Sequence, residues 1–159
     1  MAKAGNRLIE TRLLTEWLAV RYPDRRVLQR VRVGSDHPAL EIPGLSPSEQ
    51  RMVVAWRRWA DAIVFDNGTL VVVEATVLPK PGKISQLDLY IRLVPATPEL
   101  AEYRDWPVRG LLLAAVDDPV MRLLAAERGY TIELYHPPWV DGYLLTLAPR
   151  RREGSLTAL

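Results

Sequence analysis

The chain has 159 residues, 48% hydrophobic and 25% charged, a composition that suits one soluble domain able to bury about 68–70% of its unfolded surface. It contains no cysteine, which excludes disulfide scaffolds, zinc fingers, iron–sulfur sites and thiol nucleophiles. Its 21 basic and 19 acidic residues leave a net charge of +2, too small to mark a polyanion-binding surface. Among the basic residues only Lys3, Lys80 and Lys83 are lysine. A GC-rich or thermophilic genome would produce that arginine bias, and phosphate binding would also favour it. The longest apolar runs, residues 111–116 and 70–73, fall far short of the ~20 residues a membrane helix needs. With no apolar signal core at the N-terminus, the expectation is an intracellular, cytoplasmic protein with no membrane partner.

Residues 7–21 carry Ile9, Leu13, Leu14, Trp17, Leu18 and Val20 at helical spacing, which predicts an amphipathic helix. Residues 27–33 alternate apolar and polar and read as a half-buried strand, followed by a loop over 35–44. Ser46, Pro47 and Glu49 form an N-cap, a first-turn proline and a capping-box acid, predicting a second helix to about residue 58. Residues 59–65 and 69–77 are strand-like runs joined through Asn67-Gly68, a strong short hairpin signal. Ile84, Leu87, Ile91 and Val94 then mark a helix over 83–94, which Pro95 ends. Residues 108–116 read as a central strand covered on both faces. Asp118, Pro119 and Gly129 cap, open and close the next helix, and 130–135 is a further strand. Residues 139–147, around Asp141-Gly142, suggest a peripheral hairpin, and 150–159 a frayed tail. The order αβαββαβαβ predicts a single α/β domain over residues 1–149, a mixed central sheet with helices on its faces.

The hairpin carries the chemistry. With Asn67-Gly68 as a two-residue loop, Asp66 faces Thr69 and Asp61 faces Glu74, on a side shared with Ile63 and Val72. Two carboxylates held together there require a cation, a shared proton or a basic neighbour. Glu10 adds a third acid, at the centre of the apolar arc of the first helix, with Glu16 nearer its edge. Each residue alone has a simpler reading: Asp61 starting a strand, Glu74 paired with an arginine, Glu10 partly solvated. A one-residue bulge in the hairpin would put Asp61 and Glu74 on opposite faces.

Three stretches together resemble the PD-(D/E)XK nuclease superfamily, in its RecB-like branch. They are Trp59-Ala60-Asp61-Ala62-Ile63-Val64-Phe65, then Val71-Val72-Val73-Glu74-Ala75-Thr76, then Gln86-Leu87-Asp88-Leu89-Tyr90. They match the family's strand aspartate, its (D/E)-x-K position and a QxxxY motif, and the similarity in element order covers about residues 7–135. The resemblance implies a restriction-endonuclease-like fold and a Mg²⁺- or Mn²⁺-dependent nuclease acting on DNA, with a phage or mobile-element origin. It further implies metal ligation by Asp61, Glu74, the Ala75 carbonyl and Glu10, and substrate contacts from Gln86, Tyr90 and Thr76. The chain departs from the family at Thr76, which stands where the lysine belongs. Lys80 or Lys83 could supply the missing cation from the following segment, completing a catalytic set with Asp61, Glu74 and Glu10.

The competing reading is a relative that has lost catalysis and serves as a nucleic-acid-binding or structural virion component of head-completion or neck type, bound to other subunits or to copies of itself. An acid–base hydrolase without metal lacks a substrate-pocket signal. His37 and His136 adjoin prolines in expected turns and lack metal-ligand spacing. Among the five tryptophans, Trp17 and Trp59 are assigned to covered faces, leaving Trp56, Trp106 and Trp139 as surface candidates for base stacking. Arg150-Arg151-Arg152 reads as a solvated basic tail.

Overall fold

A computed structural model of the chain describes residues 2–35, 46–48 and 58–155. Helix α1 (Ala2–Arg21) leads into β1 (Arg26–Val33), β2 (Arg58–Asp66) and β3 (Thr69–Thr76). Helix α2 (Pro81–Leu93) and two short 3-10 turns (Val94–Ala96, Pro98–Tyr103) cross to β4 (Val108–Ala114). Helix α3 (Pro119–Glu127), β5 (Thr131–Leu134) and α4 (Trp139–Ser155) complete the chain. The expected loop over 35–44 and second helix over 46–58, with His37 and Trp56, lie almost wholly outside the described residues.

The five strands form one sheet in the order β1-β2-β3-β4-β5. The first three are antiparallel neighbours, while β3-β4 and β4-β5 run parallel. The protein is therefore an α/β fold with a mixed open sheet. The hairpin turn places Asn67 at φ 47° and Gly68 at φ 82°, the positive pair that a tight two-residue loop needs. Its register follows the sequence expectation from Asp66↔Thr69 to Ala62↔Val73.

Leu13, Leu14, Trp17 and Leu18 of α1 pack on Ala62, Val64, Val71, Val73, Leu111 and Leu113 on one sheet face. Val140 of α4 joins them. Leu87 and Tyr90 of α2 cover Ile63, Val72 and Phe65 on the opposite face, and Ile84 of α2 meets Met121 and Ala125 of α3 over Leu112. Burial on both faces makes β3 and β4 near-continuous apolar runs, and Glu74 is the single charge in β3. Asp118 caps α3, accepting from the backbone N–H groups of Val120 and Met121.

Three expectations fail here. Residues 139–147 form the start of α4, not a hairpin, and that helix runs through the 149/150 boundary where a frayed tail was expected. Val140, Tyr143, Leu144 and Leu147 stand at helical spacing, and the first three pack against the α1 cluster. That burial outweighs the turn preference of Asp141-Gly142. Val20, expected on the apolar stripe of α1, is exposed near the helix end. Among the described residues no helix is long and apolar enough to cross a membrane.

Candidate metal and phosphodiester site

The cleft lies where β2 begins and β3 ends, with α1 and α4 closing it from one face of the sheet and α2 from the other. Proline at the first turn of α2 starts that helix directly after the loop leaving β3, so Lys83, one turn in, reaches back to the strand end. The cleft is open, about 660 Å³, and is lined by Glu10, Asp61, Glu74, Thr76, Lys80, Lys83, Gln86 and Tyr90. Eight residues that sequence reading singled out, drawn from four elements and a loop, thus share one cavity. Ala75 does not line it; its side chain packs in the α1 cluster.

Asp61 and Glu74 line the same cleft, but the expected Asp61↔Glu74 pair is not part of the regular register. The regular β2-β3 pairing ends at Ala62↔Val73. Alternation would make Ala60 and Ala75 the next hydrogen-bonded pair. Instead the Asp61 carboxylate (Oδ2) accepts the Ala75 N–H at 2.8 Å, standing in for the lost ladder bond. The regular ladder stops here, and Asp61 and Glu74, just beyond its last pair, line the cleft.

Lys83 is the hub. Its ammonium donates to Glu74 Oε1 at 2.9 Å and lies 3.8 Å from Glu10 Oε2. The Glu74 side chain is only 4% exposed, and its Oε2 has no hydrogen-bond partner among the described residues. Burial, reinforced by Asp61, pushes the Glu74 carboxyl up to about 8 against the pull of Lys83. Burial likewise raises Glu10, with Lys83 opposing and Asp61 adding to the shift. Burial disfavours the Lys83 charge, but Glu74 and Glu10 outweigh it and hold the ammonium above its usual range. Burial, with Glu74 and Asp61 nearby, also raises Tyr90, keeping its phenol protonated. The proton count of Glu74 and Lys83 is shared, because a protonated Glu74 relaxes the pull that raises Lys83.

Thr76, two residues after Glu74, is buried, and its hydroxyl donates to the Leu78 carbonyl at 2.9 Å. Lys80 lines the cleft from the residue that precedes α2. Glu16 takes no part: it pairs with Arg12 and accepts from the Trp139 indole N–H. Asp88 also points elsewhere, accepting from Arg128 and Tyr130. His136 sits in a loop, bonded to the Ala115 carbonyl and to Asp141. Sequence reading missed Asn6 and Arg7 on α1, and Tyr143 and Leu147 on α4, all of which line the cleft. Helical periodicity over 140–147 is the signal that reveals the last two. Among the described residues no three Asp, Glu or His side chains converge as a ready-made metal cage.

The tryptophan assignments also change. Trp106 is half-buried and packs with Phe65 and Tyr103 against the core, and Trp139, also half-buried, lies under the Arg12 guanidinium. Trp59, expected on a covered face, is 51% exposed. The chain matches no protein-family model and no curated protein sequence.

Proposed function

We propose that the chain is a metal-dependent nuclease of PD-(D/E)XK type, restriction-endonuclease-like in fold, that cuts phosphodiester bonds in DNA with Mg²⁺ or Mn²⁺. One observation carries the reading. The Lys83 ammonium stands against Glu74 and Glu10, on the α2 face that also bears Gln86 and Tyr90, and so supplies the cation that Thr76 does not. The mixed sheet, with a hairpin followed by two parallel crossovers, agrees with this fold.

The donor set suits a hard divalent ion. Asp61, Glu74 and Glu10 offer carboxylate oxygens, and the buried Glu74 Oε2 is free of any hydrogen bond among the described residues. Bound there, the metal would acidify a water and stabilise charge on the leaving oxygen. The protein's own groups do the rest. The Ala75 N–H fixes the Asp61 carboxylate, Lys83 holds the attacking water or balances charge on the phosphate, and the protonated Tyr90 donates toward the strand.

Calorimetric titration with Mn²⁺ on the wild type and on Glu74→Ala, with single- and double-stranded DNA cleavage assayed in the same buffer, tests the reading. Binding abolished by Glu74→Ala together with metal-dependent cleavage is the expected result. Absence of both would overturn it.

A second reading has its own support: Lys83 already neutralises the acids where a metal would act. The chain would then be a degenerate nuclease-fold protein, DNA-binding or a structural virion component. Val120 and Leu123 on α3, 63% and 61% exposed, would give another subunit or a second copy an apolar contact. Self-association or DNA binding without metal binding selects this reading.

A further inference from the structure

The β1-β2 ladder has a localised fault. Its pairing keeps one offset from Arg26↔Phe65 to Gln29↔Ala62 and from Val31↔Ala60 to Val33↔Arg58, but the intervening pair, Arg30 and Asp61, drops out. Arg30 stands there at φ 51°, a left-handed conformation that costs a non-glycine residue about 1–2 kcal/mol. On both strands the inside-outside alternation reverses at this point. Val27 and Ala62 pack under α1, whereas Val31, Val33 and Ala60 pack on the opposite face with Leu28 and Ile63. The reversal turns Trp59 out of the core, two residues before Asp61, and sets it opposite Arg32.

The exposed indole is part of a built surface. Trp59, Arg30, Arg7, Gln29 and Thr11 line a shallow groove between α1 and the β1-β2 edge, and the Arg30 guanidinium lies 5.7 Å from the indole centroid. Arg7, Glu10 and Asp61 line both this groove and the carboxylate cleft, so the two adjoin across these side chains. The groove holds only about 50 Å³, too little to enclose a nucleotide. A base would stack on the open indole face, with phosphates along the arginines.

We infer that Trp59, flanked by Arg30 and Arg7, is a stacking platform for an unpaired nucleic-acid strand, and that it feeds the strand past Asp61 into the carboxylate cleft. The inference rests on reading that cleft as a phosphodiester site, and it specifies the substrate class: single-stranded rather than duplex. Only an unpaired base presents its π-face to an indole, whereas the phosphates of a duplex would engage the arginines alone.

Binding can be measured apart from catalysis. Full-length protein in EDTA is titrated into fluorescein-labelled oligothymidylate of about 16 nucleotides, an oligouridylate of equal length and a duplex. The expected result is preference for a single strand, weakened about 5- to 150-fold by Trp59→Ala and largely retained by Trp59→Phe. Arg30→Gly accepts the positive φ while removing the guanidinium, and should lower the salt dependence of binding by about one phosphate contact. Circular dichroism confirms that each variant is folded. Equal affinity of wild type and Trp59→Ala, or a preference for duplex, would overturn the platform. Trp59-dependent binding by a protein that takes no Mn²⁺ and cleaves nothing would leave the platform standing and refute the nuclease reading.

Discussion

Replacing Glu74 with glutamine should make the protein more stable in base while leaving it nearly unchanged in acid. The folded Glu74 carboxyl is raised from 4.5 to about 8, first by burial and then by Asp61. A carboxyl with a raised folded pKa binds its proton more tightly in the native state. Its contribution is therefore fully present below pH 4.5 and is lost as pH rises through about 8. At about 1.4 kcal/mol per pKa unit, this loss is on the order of 3–5 kcal/mol by pH 9. Glu74→Gln keeps the neutral shape and removes the titration, and Glu10, 3.8 Å from the Lys83 ammonium, remains as its carboxylate partner. The variant should thus gain on the order of 3–5 kcal/mol over wild type between pH 5 and pH 9, or roughly 6–20 °C in Tm for a chain of this size. Urea unfolding followed by circular dichroism at the two pH values measures it. A stability difference between the two proteins that is the same at both, within about 0.5 kcal/mol, would refute the burial argument.

If the cleft is a nuclease site, Lys83→Met should lower Mn²⁺-dependent cleavage by about 10²–10³-fold, and Lys80→Met by less than about tenfold, as read from initial rates on labelled DNA. The reverse order would assign the basic role to Lys80. Gly110→Ala should cost about 1–3 kcal/mol in urea unfolding, because the added Cβ would lie 2.7 Å from Tyr130 Cδ1 and 2.8 Å from Ile91 Cδ1. Asp118→Ala should cost about 1 kcal/mol by the same assay, since it frees the two N–H groups that the carboxylate accepts at the start of α3.

Much of the architecture was legible in the chain because local signals and burial agree. Asn67-Gly68 sets the hairpin and its register, Asp118-Pro119 starts α3, and the apolar run of β4 marks a central strand. Glu10 stood out as an acid on an apolar stripe, and it does line the cleft. Helix α4 was misread because Asp141-Gly142 resembles a turn, and only packing of Val140 and Tyr143 on α1 decides otherwise. Trp59 was misassigned for a different reason: strict alternation carries it to the face of Asp61, and the Arg30 fault that reverses the alternation has no sequence signature.

The candidate site divides along the same line. Residue types, order and spacing by themselves determined that Asp61 and Glu74 belong to paired strands and that Gln86 and Tyr90 share a helix face, because hairpin register and helical period are local properties. Which lysine meets the acids was not a local question. Lys80 and Lys83 are near-equivalent in sequence, and the path of α2 over the end of β3 brings the Lys83 ammonium to Glu74. Tertiary structure alone also decided how Glu74 ionises, because its desolvation depends on what both faces of the sheet pack against it.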